Sequence, residues 1–221
     1  MIPAVAPALL ARLQREIVSR RRPDGLRVGI DGVDGAGKTT LADALADALR
    51  AAGLPVIRAS VDGFHHPRAV RYRRGRESPE GFFRDSYDYA ALRRSLLDPL
   101  SPGGDRRYRA AVFDHRSDRR ADVAEERAEA GAVLIVDGIF LHRPELRPYW
   151  DFSVFLDVRL EISIPRGARR GEGSPDPLAP ENRRYVEGQR LYRRECDPHA
   201  HATLVIGYDD PAAPVIPEDG T

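Results

Sequence analysis

The chain has 221 residues, 42% of them hydrophobic and 31% charged, and its 35 lysines and arginines nearly balance 34 acids for a net charge of +1. That length holds one α/β domain with a sizeable core, and the near-neutral balance argues against a general nucleic-acid surface. One cysteine, Cys196, excludes an internal disulfide framework and fits a reducing cytosol, while no stretch of about 18 apolar residues is available to cross a membrane.

Residues 8–20 predict an amphipathic helix, with Leu9, Leu10, Leu13 and Ile17 on one face and Arg12, Arg15 and Glu16 on the other. This reads as a surface helix rather than a signal peptide, because no small-residue cleavage site follows. Arg27 to Asp31 is a short strand leading into a glycine-rich loop, and Thr39 to Ala52 is a helix closed by Gly53. Pro55 to Val61 is a second strand. Residues 64–86 are polar and arginine-rich and read as an ordered functional loop. Tyr87 to Leu97 is a helix. Turn signals fill 99–122 around a short strand at 110–113, and Ala124 to Glu129 predicts a helical turn. Val133 to Val136 and Phe152 to Asp157 are apolar runs of the kind buried on both faces of a parallel sheet. A helix follows to about residue 170, then a Gly/Pro-rich mobile segment at 171–181. Arg183 to Glu195 is helical and Thr203 to Ile206 is a last strand. Strands alternating with helices give the fold class: α/β, a parallel sheet flanked by helices. A single domain spans 1–208, with a loosely ordered tail over 209–221.

The most specific signal is Gly32-Val33-Asp34-Gly35-Ala36-Gly37-Lys38-Thr39, followed by Thr40. It fits the phosphate-loop pattern G-x-x-x-x-G-K-[ST] between a predicted strand and a predicted helix. Its glycines let backbone N–H groups turn inward toward phosphate oxygens, and the helix N-terminus adds partial positive charge. Lys38 is the chain's only lysine. The loop needs a compact ammonium that can lie along the phosphates, which a planar guanidinium does not match. ATP is the expected donor, with Thr39 placed to bind Mg²⁺. Asp137, at the carboxyl end of strand 133–136, is a candidate metal group, and Asp62 is a second. Asp62, at the end of strand 55–61, is also placed to take a proton from a substrate hydroxyl. With no second lysine there is no N-K-x-D for guanine, which removes a GTPase reading.

These segments resemble the uridine kinase, phosphoribulokinase and pantothenate kinase superfamily of P-loop kinases. Val61-Asp62-Gly63-Phe64-His65 is similar to the family's strand-end Asp motif, which implies a base at Asp62. Val136-Asp137-Gly138-Ile139-Phe140 is similar to its [LV]-E-G-[IL] segment, with Asp137 one methylene shorter than the usual Glu. Residues from Asp157 to Arg170 look like its lid helix, within a lid region of about 159–182. The resemblance implies that Arg166 and Arg170 reach over the phosphates; a solvated helix face is the alternative. Tyr108 and His115 resemble the Tyr and His that uridine kinases set around base and sugar. Gly81-Phe82-Phe83-Arg84-Asp85-Ser86-Tyr87-Asp88 instead resembles a stretch of pantothenate kinases. Phe64, His65, Phe83 and Asp85 join Asp62, Tyr108, His115 and Arg166 as candidate acceptor contacts, with plain structure as the rival role for Phe83, Asp85 and Tyr108. Surface roles fit His199 and His201.

The expectation is a cytoplasmic, ATP- and Mg²⁺-dependent kinase acting on a small-molecule hydroxyl, the 5′-hydroxyl of uridine or cytidine first. Pantothenate or another sugar or alcohol is the alternative acceptor, and a nucleotide-binding ATPase without acceptor is the third reading. No nucleic-acid or membrane partner is expected, and self-assembly is left open.

Overall fold

The computed structural model describes residues 5–169, 171 and 173–216. Helix α1 (Pro7–Ser19) precedes strand β1 (Leu26–Gly32), helix α2 (Lys38–Ala51) and strand β2 (Val56–Ser60). A 3-10 turn at Val61–Phe64 leads to the short helices α3 (Arg68–Arg71), α4 (Pro79–Asp85) and α5 (Tyr89–Leu92), the last running on as a π-turn over Arg93–Leu97. Four two-residue strands follow: β3 (Arg107–Tyr108), β4 (Phe113–Asp114), β5 (Arg119–Arg120) and β6 (Glu126–Arg127). Then come β7 (Val133–Gly138), β8 (Phe152–Asp157), α6 (Leu160–Ala168), α7 (Arg183–Cys196), α8 (Pro198–His201) and β9 (Leu204–Gly207).

Five strands form the parallel sheet in the order β2-β7-β1-β8-β9, so its three apolar central strands, β7, β1 and β8, lie side by side. Their pleat divides the core. Val133 and Ile135 pack with Val28, Ile30, Leu45 and α1, while Leu134 and Val136 pack with Phe83, Leu92 and Tyr192 on the opposite face. All carboxyl ends reach one edge, and the chain leaves β1 toward β2 but β7 toward β8. Such a reversal opens a crevice at that edge, where ligands of open α/β sheets bind.

Three predicted stretches differ. Segment 64–86 folds into α3 and α4, the latter started by Ser78, whose Oγ accepts the Gly81 N–H at 3.0 Å. Its polar, glycine-containing sequence hides a helix that packs on α7. The predicted helical turn at 124–129 is instead strand β6, antiparallel to β3, with Tyr108 donating to Glu126 at 2.9 Å. Tertiary pairing there overrides helical propensity. The helix predicted from Tyr87 starts two residues later, because Asp88 caps it by accepting the Ala91 N–H at 2.8 Å. The tail is tied back at Val215, which exchanges hydrogen bonds with Gly207.

Beneath the glycine loop lies a buried polar cluster. Asp31, at the end of β1, accepts the Gly32 N–H at 2.7 Å on one oxygen. Its other oxygen accepts the His142 backbone N–H at 3.1 Å, His142 Nδ1–H at 2.8 Å and the Tyr192 hydroxyl of α7. Because the carboxylate can only accept, His142 is the Nδ1–H tautomer, and its Nε2 accepts from Ser153 Oγ at 3.0 Å. Removing Asp31 would orphan three buried donors, because the His142 backbone N–H keeps the Tyr192 hydroxyl as an acceptor at 2.9 Å. Asp31→Ala is expected to cost about 3–5 kcal/mol of stability, read as a lower urea midpoint with the slope unchanged; a midpoint near wild type would refute the account.

Candidate active site

The glycine loop runs from the end of β1 into α2. Gly35 (φ +74°) and Gly37 (φ +97°) hold the left-handed conformation that turns their N–H groups inward. A Cβ on Gly35 would lie 2.1 Å from the Ser163 carbonyl oxygen, so the backbone of α6 rests directly on the loop. Lys38 Nζ folds back to donate to the Val33 carbonyl at 2.8 Å. The cleft over the loop has a volume of about 140 Å³ and is lined by Asp34, Gly35, Gly37, Lys38, Thr39 and Thr40, with Ser60, Asp62, Tyr87, Asp137, Gly138 and Ile139 across from them.

The two predicted acids enter this cleft from neighbouring strands. Asp137, on β7, is buried; its Oδ2 accepts from Thr39 Oγ1 at 2.6 Å and its Oδ1 from Arg58 at 3.0 Å. Asp62 stands exposed on the turn after β2, which is fixed by Ser60 Oγ accepting the Asp62 N–H at 3.3 Å. The Tyr87 hydroxyl donates to Asp62 Oδ1 at 3.0 Å. Burial holds the Tyr87 phenol well above its ordinary range, so it remains a donor. His65 lies against Tyr87 at 4.4 Å and stacks on His115 at 4.5 Å between ring centroids. Burial pushes the His65 ring down to about 4, so it is uncharged at neutral pH. Asp62 thus lines the cleft with Tyr87, and His65 and His115 lie behind Tyr87 in a run of ring contacts.

Other predicted contacts lie elsewhere. Phe64 and Phe83 are core residues, the latter edge-on to Phe140. The Asp85 carboxylate is buried between Arg73 (2.5 Å) and Arg74 (2.9 Å), and does not line the cleft. Tyr108 belongs to the β3–β6 ribbon. Arg166 donates to the Tyr208 and Asp209 carbonyls after β9 rather than reaching into the loop. Arg170 lies outside the described residues. His199 pairs with Asp157 at 3.2 Å, and Cys196 is a buried thiol pushed up to about 11 by burial.

Several residues in or bonded to the cleft lining escaped sequence reasoning in these roles. Tyr87 was visible only as part of a family-like stretch, and nothing local announces a bond to a carboxylate 25 positions earlier. Arg58 read as one more strand residue. Gln189 of α7 donates to Asp34 Oδ2 at 3.2 Å, a contact across the whole fold. The donor set of Thr39, Asp62 and Asp137 is all hard oxygen. Among the described residues no three acidic, histidine or cysteine side chains converge as a metal site. That set suits Mg²⁺, which takes one or two protein oxygens and completes its shell with phosphate and water.

The chain matches the phosphoribulokinase/uridine kinase family over residues 27–171. It belongs to that family. A possible uridine kinase from Bacillus stearothermophilus superposes with a TM-score of 0.71 at 25% identity, over 89% of this chain and 96% of the other. A candidate fructose transport system kinase from Silicibacter sp. TM1040 gives 0.67 at 26% identity, over 85% and 95%. A thymidylate kinase from Pseudomonas fluorescens is 27% identical over 83% of this chain and 88% of its own. The chain is thus a P-loop phosphotransferase, and the family implies ATP as its donor. No helix among the described residues is long and apolar enough to cross a membrane.

Within the loop, burial raises the Asp34 carboxyl above its ordinary value; Lys38 and the Gln189 hydrogen bond oppose that, and Asp62 adds to it. A raised folded-state value means stability that is present below the unfolded value and lost as pH rises through the folded one. Asp34→Asn is therefore expected to raise the Tm at about pH 7 and to leave it unchanged near pH 3, where both carboxyls are protonated. Thermal melts across that range check it; a lower Tm at neutral pH would count against the account.

Proposed function

We propose that this protein transfers the γ-phosphoryl group of ATP to the primary hydroxyl of a small molecule, with the 5′-hydroxyl of uridine or cytidine as the first candidate. The observation that carries the proposal is Asp62, exposed in the same cleft as the phosphate loop and oriented by Tyr87. A hydroxyl acceptor must lose its proton as the bond to phosphorus forms, and a positioned carboxylate accepts it. A nucleotide acceptor of the thymidylate kinase kind would present an already ionised phosphate, which needs cations rather than a base. The cleft opposite the loop offers Asp62 and Tyr87 instead, with the uncharged His65 packed against Tyr87.

The loop N–H groups and Lys38 would hold the triphosphate and neutralise charge on the transferring group. Thr39 would hold Mg²⁺, with Asp137 and Asp62 reaching it directly or through water; when bound, the ion screens the phosphate oxygens from the incoming hydroxyl. Asp62 would orient the hydroxyl in line and take its proton, while Tyr87 fixes the carboxylate. His65 and His115 make a flat shelf beside it that suits a planar base or sugar face. Pantothenate, or another sugar or alcohol, would use the same base. A plain ATPase would not need Asp62 together with the acceptor-side segment 63–86, and that disfavours the third reading.

ADP release, measured with and without nucleosides, pantothenate and simple sugars, tests the proposal. Stimulation by uridine or cytidine is expected, and hydrolysis unchanged by every acceptor would sink it. Asp62→Asn should keep ATP affinity and lower turnover by ~10²-fold or more. Lys38→Arg keeps the charge but not the shape, and should lose most activity; a fully active variant would refute the shape argument.

A further inference from the structure

We propose that Arg58 is a positioning residue that sets the metal affinity of the site by fixing Asp137 and, through it, Thr39. The side chain leaves β2, and every one of its five N–H donors is used. Nε and Nη2 reach Asp43 Oδ1 at 3.0 and 2.8 Å, and Nη1 donates to the Ala59 and Ile135 carbonyls at 2.8 and 3.1 Å. The remaining Nη2 donor meets Asp137 Oδ1 at 3.0 Å. Only an arginine presents five donors in a rigid fork; a lysine offers three from one atom and cannot span these acceptors.

The bonds join three elements at one point. Asp43 lies one turn after Thr39 on α2, Arg58 sits on β2, and Asp137 is the penultimate residue of β7 beside it, with Ser60 and Asp137 in register. Asp137 is buried, and a carboxylate in that setting is retained only where it is paired. Arg58 takes one of its oxygens, and Thr39 donates its hydroxyl proton to the other at 2.6 Å. The carboxylate plane is thereby fixed. With its single proton committed to Asp137, the Thr39 oxygen turns its lone pairs to the cleft, where a divalent cation needs them. Without the arginine, the short Asp137 side chain has no second anchor, and the Thr39 hydroxyl loses its directed acceptor.

The inference rests on the reading of the loop as a Mg·ATP site, and the test separates the two. Affinity for a non-hydrolysable ATP analogue is measured by calorimetry with Mg²⁺ and with EDTA, together with the Mg²⁺ midpoint of turnover, in wild type, Arg58→Met and Arg58→Lys. Wild type should bind the analogue more tightly with Mg²⁺; no such gain would overturn the Mg·ATP reading itself. Given that gain, Arg58→Met should leave metal-free affinity within about twofold, shrink the Mg²⁺-dependent gain about tenfold and raise the Mg²⁺ midpoint to match. Arg58→Lys should lie between, about threefold from wild type. A wild-type gain in Arg58→Met, or equal losses with and without metal, would overturn the role of Arg58. If Arg58→Met shows no cooperative melt, Arg58→Lys decides: a wild-type Mg²⁺ gain there overturns the inference.

Discussion

A carboxylate with no access to water sits at the root of the phosphate loop, and the architecture of the site depends on it. A buried carboxyl group must be surrounded by hydrogen-bond partners, and those of Asp31 come from three distant pieces of chain: the loop itself, the segment after β7 and helix α7. Satisfying it fixes where β1 ends, where His142 lies and how α7 crosses the sheet. The chain of contacts from Ser153 through His142 to Asp31 has the order of a hydrolase triad. All three residues are buried, with Ser153 Oγ also accepting the Thr203 N–H at 3.1 Å, so the arrangement braces strands and does no chemistry on a substrate.

Above that root, the residues proposed for phosphoryl transfer stand at or just past the carboxyl ends of different strands. β1 leads into the loop, β2 leads to Asp62, and Asp137 is the penultimate residue of β7. Parallel register brings these together without any of them being close in sequence. The basic residues divide the labour. Arginines brace the frame with forked, multi-partner contacts: Arg58 across β2 and β7, Arg143 over Phe83 and Tyr89, Arg184 over Tyr72 and Phe82. The lone lysine sits in the glycine loop instead, where its compact ammonium donates to the Val33 carbonyl at 2.8 Å.

The sequence made the donor half of the site legible because its parts are local. A phosphate loop is eight consecutive residues with hard positional demands, and apolar runs such as Val133 to Val136 mark central strands on their own. The acceptor half is assembled from contacts across tens of residues, and there local reading faltered. Asp85 carries the charge expected of a substrate ligand, yet Arg73 and Arg74 already occupy it. Phe83 lies in a stretch similar to pantothenate kinases, yet the ring fills the core. Helix-forming residues at 124–129 became a strand because β3 lay open beside them. Arg58 could not be distinguished from 33 other arginines until its partners were in place.

The contacts that shape the loop also change what binding must cost. Asp31 holds the Gly32 N–H, Val33 accepts from both Ala36 and Lys38, and the backbone of α6 presses on Gly35. Ordering a residue's backbone costs about 1–2 kcal/mol in conformational entropy. Over this loop that loss is taken when the chain folds, not when a nucleotide arrives. The free energy of contact with the phosphates then goes largely into affinity rather than into arranging the protein, and a rigid cradle of this kind favours one geometry of triphosphate over any looser anion.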